Sequence, residues 1–99
     1  MIFGFEWDDE KEKINIKKHK LSFRTAALVF KDKNRIDWYD DAHSDDEDRY
    51  ITVGMIPKKP NIIMVVYTER DGDKIRIISA RTALKNEKEA YYRGEDALY

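Results

Sequence analysis

The chain of 99 residues contains no cysteine, which excludes disulfide bonds and thiolate metal ligands and fits a reducing compartment. It also contains no apolar stretch near the roughly 20 residues that a membrane-spanning helix requires. The first ten residues, MIFGFEWDDE, lack the basic start and the long apolar run of a secretory signal. We therefore expect a protein of the cytoplasm that has no membrane association.

The motifs of several enzyme classes are missing as well. We find no nucleophilic triad, no P-loop and no dinucleotide-binding fingerprint. The two histidines, His19 and His43, stand in different sequence contexts, and no HExxH-type spacing occurs. The acidic residues in segment 40–48 do not have EF-hand spacing, so a solvated loop is a better interpretation than a cation site. We expect neither a metal nor a cofactor.

Charge, by contrast, is abundant. Charged residues make up 39% of the chain, yet the net charge is only −1. Segment 40–48, DDAHSDDED, carries six of the acids and no lysine or arginine, which leaves a net charge of +5 on the rest of the chain. A basic body with one acidic loop is compatible with a polyanionic ligand, although a plain solvated surface fits the composition equally well.

A β-hairpin in residues 61–81 is the strongest local signal. Two runs rich in aliphatic and β-branched residues, 62–68 and 74–79, flank the pair Asp71-Gly72. Asp-Gly tolerates positive φ angles and therefore predicts a two-residue type I′ turn. Because the first run is apolar on both sides, we expect its strand to be covered on both faces of a sheet.

Residues before the hairpin predict two helices and three strands. Residues 2–7 alternate weakly as a first strand, and Asp8 is expected to cap a helix that ends near Lys18. Ser22 is expected to cap a second helix, whose apolar stripe should face the sheet. The stripe consists of Phe23, Ala26, Ala27 and Phe30.

Alternation predicts strands at residues 35–40 and 49–56, and residues 82–93 predict a last helix that ends at Gly94. The elements follow the order β-α-α-β-β-β-β-α. We therefore predict a single domain, residues 1–99, with an α+β fold in which helices pack on a mostly antiparallel sheet.

Several side chains are suited to chemistry on a phosphodiester. An arginine can donate two parallel hydrogen bonds to phosphate oxygens. RNA carries its own nucleophile, the 2′-OH, so a protein need supply only a base, an acid and charge stabilisation, without a metal. A structural interpretation stays open for each group, such as a helix-dipole contact or a solvated charge. The candidates are Lys18, His19, Arg49, Tyr67, Glu69, Arg70, Arg76 and Arg81.

Three segments resemble the BrnT toxins of bacterial type II toxin–antitoxin systems: FEWDDEKEKINIKKHKLSF, RYITVGM and VVYTERDGDKIRIISAR. The resemblance covers nearly the whole chain in the right order. It implies a RelE-like fold and a ribonuclease that blocks translation. It also implies a BrnA-type antitoxin as partner, through which alone the complex would bind operator DNA, and a dimeric antitoxin would give a 2:2 complex.

The family pattern gives functional weight to His19, Arg49, Tyr67, Glu69, Arg70 and Arg81. The resemblance implies Arg49 and Arg81 as stabilisers of the phosphate and the transition state, with proton transfer by His19, Glu69 or Tyr67. The competing hypothesis is a catalytically inactive binding module that serves only as the partner of a DNA-binding repressor.

Two positions depart from the family pattern. Lys20 stands where a glycine usually follows Lys-His, and a left-handed helix end would cost about 1 kcal/mol or more with lysine. Leu84 stands three residues before Glu87, where a Ser or Thr would complete a capping box.

Overall fold

A computed structural model describes residues 4–59 and 61–94. It is an α+β structure, as the sequence predicts, with a five-stranded sheet and three α-helices. Residues 2 and 3 of the predicted first strand lie outside the described residues. The elements are β1 (Gly4–Glu6), α1 (Asp9–His19), α2 (Phe23–Ala26), a 3-10 helix (Ala27–Lys31), β2 (Ile36–Tyr39), a second 3-10 helix (Asp41–His43), β3 (Tyr50–Met55), β4 (Ile62–Arg70), β5 (Lys74–Thr82) and α3 (Lys85–Arg93).

The strands form one mixed sheet in the order β1-β5-β4-β3-β2. The pairs β2–β3, β3–β4 and β4–β5 are antiparallel, whereas β1 runs parallel to β5. Side chains on the two faces of the sheet form two separate cores. One core packs against α1 and α2 and the other against α3, so β4 is covered on both faces, as predicted. We refer to these as the α1/α2 face and the α3 face.

The hairpin prediction is confirmed, but the two-residue turn is wrong. Arg70 pairs with Lys74, which leaves three residues in the loop. The positive φ angles belong to Gly72 (74°) and Asp73 (62°), one position later than the Asp-Gly pair suggests. Aspartate enters the left-handed region more readily than most residues, so Asp73 can occupy this position.

The helix after Ser22 changes from α-helical to 3-10 geometry along its length. Ser22 accepts a hydrogen bond from the Thr25 N–H, as an N-cap should, and α2 changes to the 3-10 helix at Ala27. The fully buried positions are Phe23, Ala26 and Val29, whereas Ala27 and Phe30 are only half-buried. Ala27 and Phe30 still pack against the core of this face, so the predicted stripe faces the sheet. The most deeply buried position of its second half is Val29, because a 3-10 helix repeats every three residues.

Helix α1 covers an open edge of β5. β1 pairs only with Lys74–Arg76, which leaves the rest of the β5 edge without a neighbouring strand. The buried Asn15 amide donates to the Ala80 carbonyl (2.9 Å) and accepts from the Ala80 N–H (3.1 Å), as a neighbouring strand would. Asp8 caps α1 as predicted, by accepting from the Glu10 and Lys11 N–H groups. The helix thus places its last residue, His19, beside β5.

Candidate active site

An open groove of about 930 Å³ lies on the α3 face of the sheet. Its floor is apolar and comes mainly from β3 and β4, through Ile51, Met64 and Val66. Charged and polar side chains surround this floor, and they come from four different parts of the chain. They are Asp40, Asp41, His43, Arg49, Arg81 and Glu87.

A β-bulge connects this groove to a smaller depression. Val66 pairs with Ser79 but Tyr67 pairs with Ile77, so Ile78 is an extra residue on β5. Ile78 and Ser79 line both the groove and a depression of about 200 Å³ that also contains Lys18 and His19. Bulges re-aim side chains and are common beside active sites. Here the bulge brings the end of α1 next to the groove.

Arg81 is held in one orientation by a buried carboxylate. Its Nη1 and Nη2 donate to Glu87 Oε1 (2.8 Å) and Oε2 (3.0 Å), and Glu87 is 2% exposed. Glu87 also accepts the Leu84 N–H at the start of α3 (2.8 Å). The Nε–H edge of Arg81 bonds no residue within 4–59 or 61–94. A two-pronged pair of this kind fixes the guanidinium plane while it leaves a donor edge for a ligand.

Arg49 is the groove arginine without a carboxylate partner among the described residues. Its Nε is buried and makes no hydrogen bond there. Arg35, Arg70, Arg76 and Arg81 each pair with an acid. A buried donor without a hydrogen-bond partner is unfavourable, so this arrangement favours an anionic ligand that accepts from Arg49.

His19 is half-buried at the end of α1. Burial lowers its pKa below the usual 6.5, and the positive charges of Lys18 and Arg81 lower it further. The imidazole is therefore neutral at pH 7 and can accept a proton.

Tyr67 and Glu69 lie on the opposite face from the groove, since they alternate with Val66 and Thr68 along β4. Tyr67 is 7% exposed and donates a hydrogen bond to Asp37 (3.2 Å). Burial and the Asp37 carboxylate raise the pKa of Tyr67 far above its usual value of 10. In this position Tyr67 belongs to the core of the α1/α2 face.

Arg70 and Arg76 are both occupied by acids. The Arg70 guanidinium contacts Glu47 of the acidic loop (3.0 Å), and the Arg76 guanidinium contacts Glu6 of β1 (2.7 Å). Neither arginine lines the groove. The structure thus places Arg49 and Arg81 in one groove, places Lys18 and His19 in a depression that shares Ile78 and Ser79 with it, and separates the other candidates from this site.

Sequence reasoning did not single out Glu87, Asp40 or His43 as parts of a site. The position of Glu87 in the first turn of the last helix indicates a capping role. Its contact with Arg81 depends on how α3 packs against the sheet, which the local sequence does not show. Asp40 and His43 lie in the segment interpreted as a solvated loop. No local pattern indicates that this loop folds back beside β5.

Two further findings concern metals and membranes. Within residues 4–59 and 61–94, no three His, Asp or Glu side chains are close enough together to hold a metal ion. No helix in the same ranges is long and apolar enough to cross a membrane.

Comparison with known proteins identifies the family. A family model described as the ribonuclease toxin BrnT of type II toxin–antitoxin systems matches residues 7–87. The crystal structure of the Brucella abortus ribonuclease toxin BrnT is similar, with a TM-score of 0.64 and 22% sequence identity. The match covers 84% of this chain and 99% of that chain, and at this identity it concerns the fold. No curated protein sequence matches.

Proposed function

The chain belongs to the BrnT family of ribonuclease toxins, and we propose that it is a metal-independent endoribonuclease that inhibits translation by cutting RNA. The observation that carries this proposal is Arg49, an arginine whose buried Nε has no hydrogen-bond partner among the described residues and which lines a groove together with Arg81. A phosphodiester supplies an acceptor for Arg49, and single-stranded RNA can follow an open groove.

In the proposed reaction, the scissile phosphate binds to Arg49 and to the free donor edge of Arg81. His19 accepts the proton of the 2′-OH, whose oxygen attacks phosphorus. Charge that develops on the phosphate oxygens is stabilised by the two guanidinium groups, which are already in place before the reaction. The low pKa of His19 suits a base that must be neutral near pH 7.

We assign the chemistry to His19, Arg49 and Arg81 and leave Tyr67, Glu69 and Arg70 outside the reacting centre. Tyr67 and Glu69 are on the α1/α2 face, and Arg70 holds the acidic loop through Glu47. Tyr67 contributes to the core, and Arg70 holds the loop beside the groove.

The proposal includes a partner. An antitoxin of the BrnA type would neutralise this chain in the cytoplasm as a 2:2 complex and would carry the contact with operator DNA. The architecture, with α1 and α2 on one face of the sheet and α3 covering only part of the other, leaves the groove open and supports a RelE-like arrangement in which an antitoxin covers the groove.

A second candidate function is a catalytically inactive partner of a repressor. The Arg81–Glu87 ion pair favours it, because Glu87 neutralises one of the two groove arginines. The acidic loop at the edge of the groove also opposes RNA binding.

Expression of the chain without its partner separates the two functions. A ribonuclease toxin arrests the growth of a bacterial host, and the purified protein cuts single-stranded RNA in the presence of EDTA but not DNA of the same sequence. An inactive partner does neither. Activity that disappears in EDTA and returns with Mg²⁺ would contradict the metal-independent mechanism.

A further inference from the structure

His43 lies beside the unpaired arginine of the groove. His43 and Arg49 both line the groove, and both also line a smaller depression of about 210 Å³ beneath the acidic loop. The histidine comes from the 3-10 helix Asp41–His43, and the arginine directly precedes β3. The fold thus places the His43 imidazole and the Arg49 guanidinium side by side at two surfaces.

A carboxylate orients the His43 ring. Its Nδ1 lies 3.1–3.2 Å from both carboxylate oxygens of Asp40. The Asp40 side chain is 11% exposed, whereas that of His43 is 69% exposed. The second ring nitrogen, Nε2, bonds no residue in the described parts of the chain and is available to a ligand. Because the Asp40 carboxylate holds Nδ1, it fixes the orientation of the imidazole ring and therefore the direction in which Nε2 points.

The backbone around this pair is fixed as well. The Asp40 N–H donates to the Arg49 carbonyl (2.8 Å), and the Ser44 hydroxyl donates to the Asp40 carbonyl (2.6 Å). The Arg49 N–H in turn donates to the Ser44 oxygen (2.9 Å). An exposed histidine–acid pair often contributes little to a protein. This pair differs because the hydrogen bonds among Asp40, Ser44 and Arg49 hold the backbone of the acid against the backbone of Arg49.

We propose that His43 is a catalytic residue of the ribonuclease reaction and that Asp40 is its positioning residue. This inference rests on the proposed ribonuclease function. As the 2′-oxygen forms its bond to phosphorus and gives its proton to His19, the bond from phosphorus to the 5′-oxygen breaks. The Nε2–H of protonated His43 donates its proton to that 5′-oxygen. The products are a 2′,3′-cyclic phosphate and a 5′-OH. His19 then releases its proton to solvent, and His43 takes up a proton from solvent, which restores both groups.

The two histidines receive opposite roles because their charged neighbours differ. Lys18 and Arg81 face His19. His43 faces Asp40, and their contact becomes an ion pair when the ring is protonated. The other charged groups around His43 are Asp41 on its own element, Asp45, Asp46 and Glu47 of the loop, Arg49, and Arg81 with Glu87 across the groove.

The test uses the purified chain and two RNA oligonucleotides that share one cleavage site. One has the ordinary 5′-oxygen leaving group, and in the other a sulfur replaces this oxygen and leaves without protonation. His43→Ala should cut the ordinary RNA about 10²–10³-fold more slowly than the wild type, as expected when a general acid is lost. It should cut the sulfur-substituted RNA at nearly the wild-type rate. Arg49→Ala should be slow on both substrates.

Asp40→Asn and Asp46→Asn provide the matched pair of variants. Asp40→Asn should slow cleavage of the ordinary RNA about tenfold or more and leave cleavage of the sulfur-substituted RNA nearly unchanged. Asp46→Asn removes a loop charge that does not contact the ring and should preserve both rates. His43→Ala and Asp46→Asn should unfold at the wild-type temperature, because both side chains lie at the surface. Asp40→Asn keeps the shape of a side chain that is 11% exposed, so its unfolding temperature is measured as a check on the fold.

Each outcome decides a different point. Wild-type cleavage of ordinary RNA by His43→Ala overturns the role of His43 and leaves the proposed function intact. Equal losses on both RNAs also overturn it, since His43 would then not protonate the leaving group. A wild-type chain that cuts neither RNA overturns the ribonuclease function and this inference together.

Discussion

Gly54 shows how a single residue sets the approach of two elements. A Cβ atom at this position of β3 would lie 2.8 Å from Val29 Cγ2 and 2.9 Å from Arg35 Cβ. Real Cβ atoms do not come this close to their neighbours, so the backbone and the 3-10 helix would have to separate. Only hydrogen fits here, which explains in physical terms a glycine in the middle of a buried strand.

We expect Gly54→Ala to destabilise the protein by about 1–3 kcal/mol, the usual cost of forcing an extra carbon into a packed core. Urea unfolding measures the change. Gly4→Ala is the matched control, because a Cβ at Gly4 meets nothing within 4 Å. Its unfolding free energy should stay within about 0.5 kcal/mol of the wild type. Equal effects of the two substitutions would show that the contacts of Gly54 are not close.

His19 gives the protein a pH dependence with a definite sign. Burial, and then Lys18 and Arg81, keep the pKa of His19 below 6.5 in the folded chain. An NMR titration of the ring should therefore have its midpoint below 6.5, and Arg81→Gln should raise that midpoint. The unfolded chain binds the proton at higher pH than the folded chain does. This group therefore lowers the free energy of unfolding as the pH falls below about 6.5.

The same titration reports on the proposed site. A 2′-O-methyl RNA binds without being cut, and its phosphate should raise the His19 midpoint because a nearby anion favours the protonated ring. A midpoint at or above 6.5 in the free protein would contradict the described surroundings of His19. If the 2′-O-methyl RNA does not change the midpoint of the His19 titration, the substrate binds elsewhere.

At the scale of elements, the parts that local sequence determines were predicted well. Asp8 and Ser22 cap their helices, Gly94 ends α3, and the hairpin β4–β5 forms. These features depend on hydrogen bonds between residues close in sequence. The 3-10 helix, the three-residue hairpin loop and the bulge at Ile78 were not predicted. They arise from packing between distant segments, which no local pattern records.

The end of α1 is an element whose local sequence opposes its conformation. Lys20 has φ 59° and ψ 33°, the left-handed conformation that glycine adopts without strain. Lys20→Gly should therefore stabilise the protein by about 0.5–1 kcal/mol, the relieved strain being partly offset by the greater freedom of glycine in the unfolded chain.

Lys17→Gly is the control for this prediction. Lys17 is an exposed residue of the same helix with ordinary helical geometry, so glycine there should destabilise by about 1 kcal/mol. The two glycine variants should therefore move the urea midpoint in opposite directions. A loss of stability in Lys20→Gly would mean that the lysine side chain contributes more than its strained backbone costs.

On the scale of the whole molecule, the two faces of the sheet have different tasks. The α1/α2 face carries a closed apolar core that includes Tyr67, and the α3 face is only partly covered and keeps the groove open. The family resemblance singled out Arg49 and Arg81, and both line the groove. The resemblance could not assign faces to Tyr67 and Glu69, since the family pattern gives positions along the chain and the sheet decides which side each one faces.

The acidic loop is a fixed part of the molecule beside the groove. Arg70 holds Glu47 (3.0 Å), and the Tyr39 hydroxyl donates to Asp48 (3.0 Å). Its negative charge therefore stays next to Arg49 and His43. RNA that enters the groove must approach past these carboxylates, so binding depends on the local arginines more than on the net charge.

The central claim is that the groove arginines stabilise a reacting phosphate, and cleavage by Arg49 variants tests it most directly. Arg49→Ala and Arg49→Lys should both cut RNA about 10²–10³-fold more slowly, because lysine cannot reproduce the two-pronged contact. The unfolding free energy of Arg49→Ala should equal or exceed that of the wild type, since this variant removes a partly buried cation whose Nε has no hydrogen-bond partner among the described residues. Arg49→Lys keeps the positive charge, and its unfolding free energy should stay within about 1 kcal/mol of the wild type. Arg24→Ala, at an exposed position of α2, should leave both quantities unchanged. Cleavage by both Arg49 variants at the wild-type rate would contradict the account.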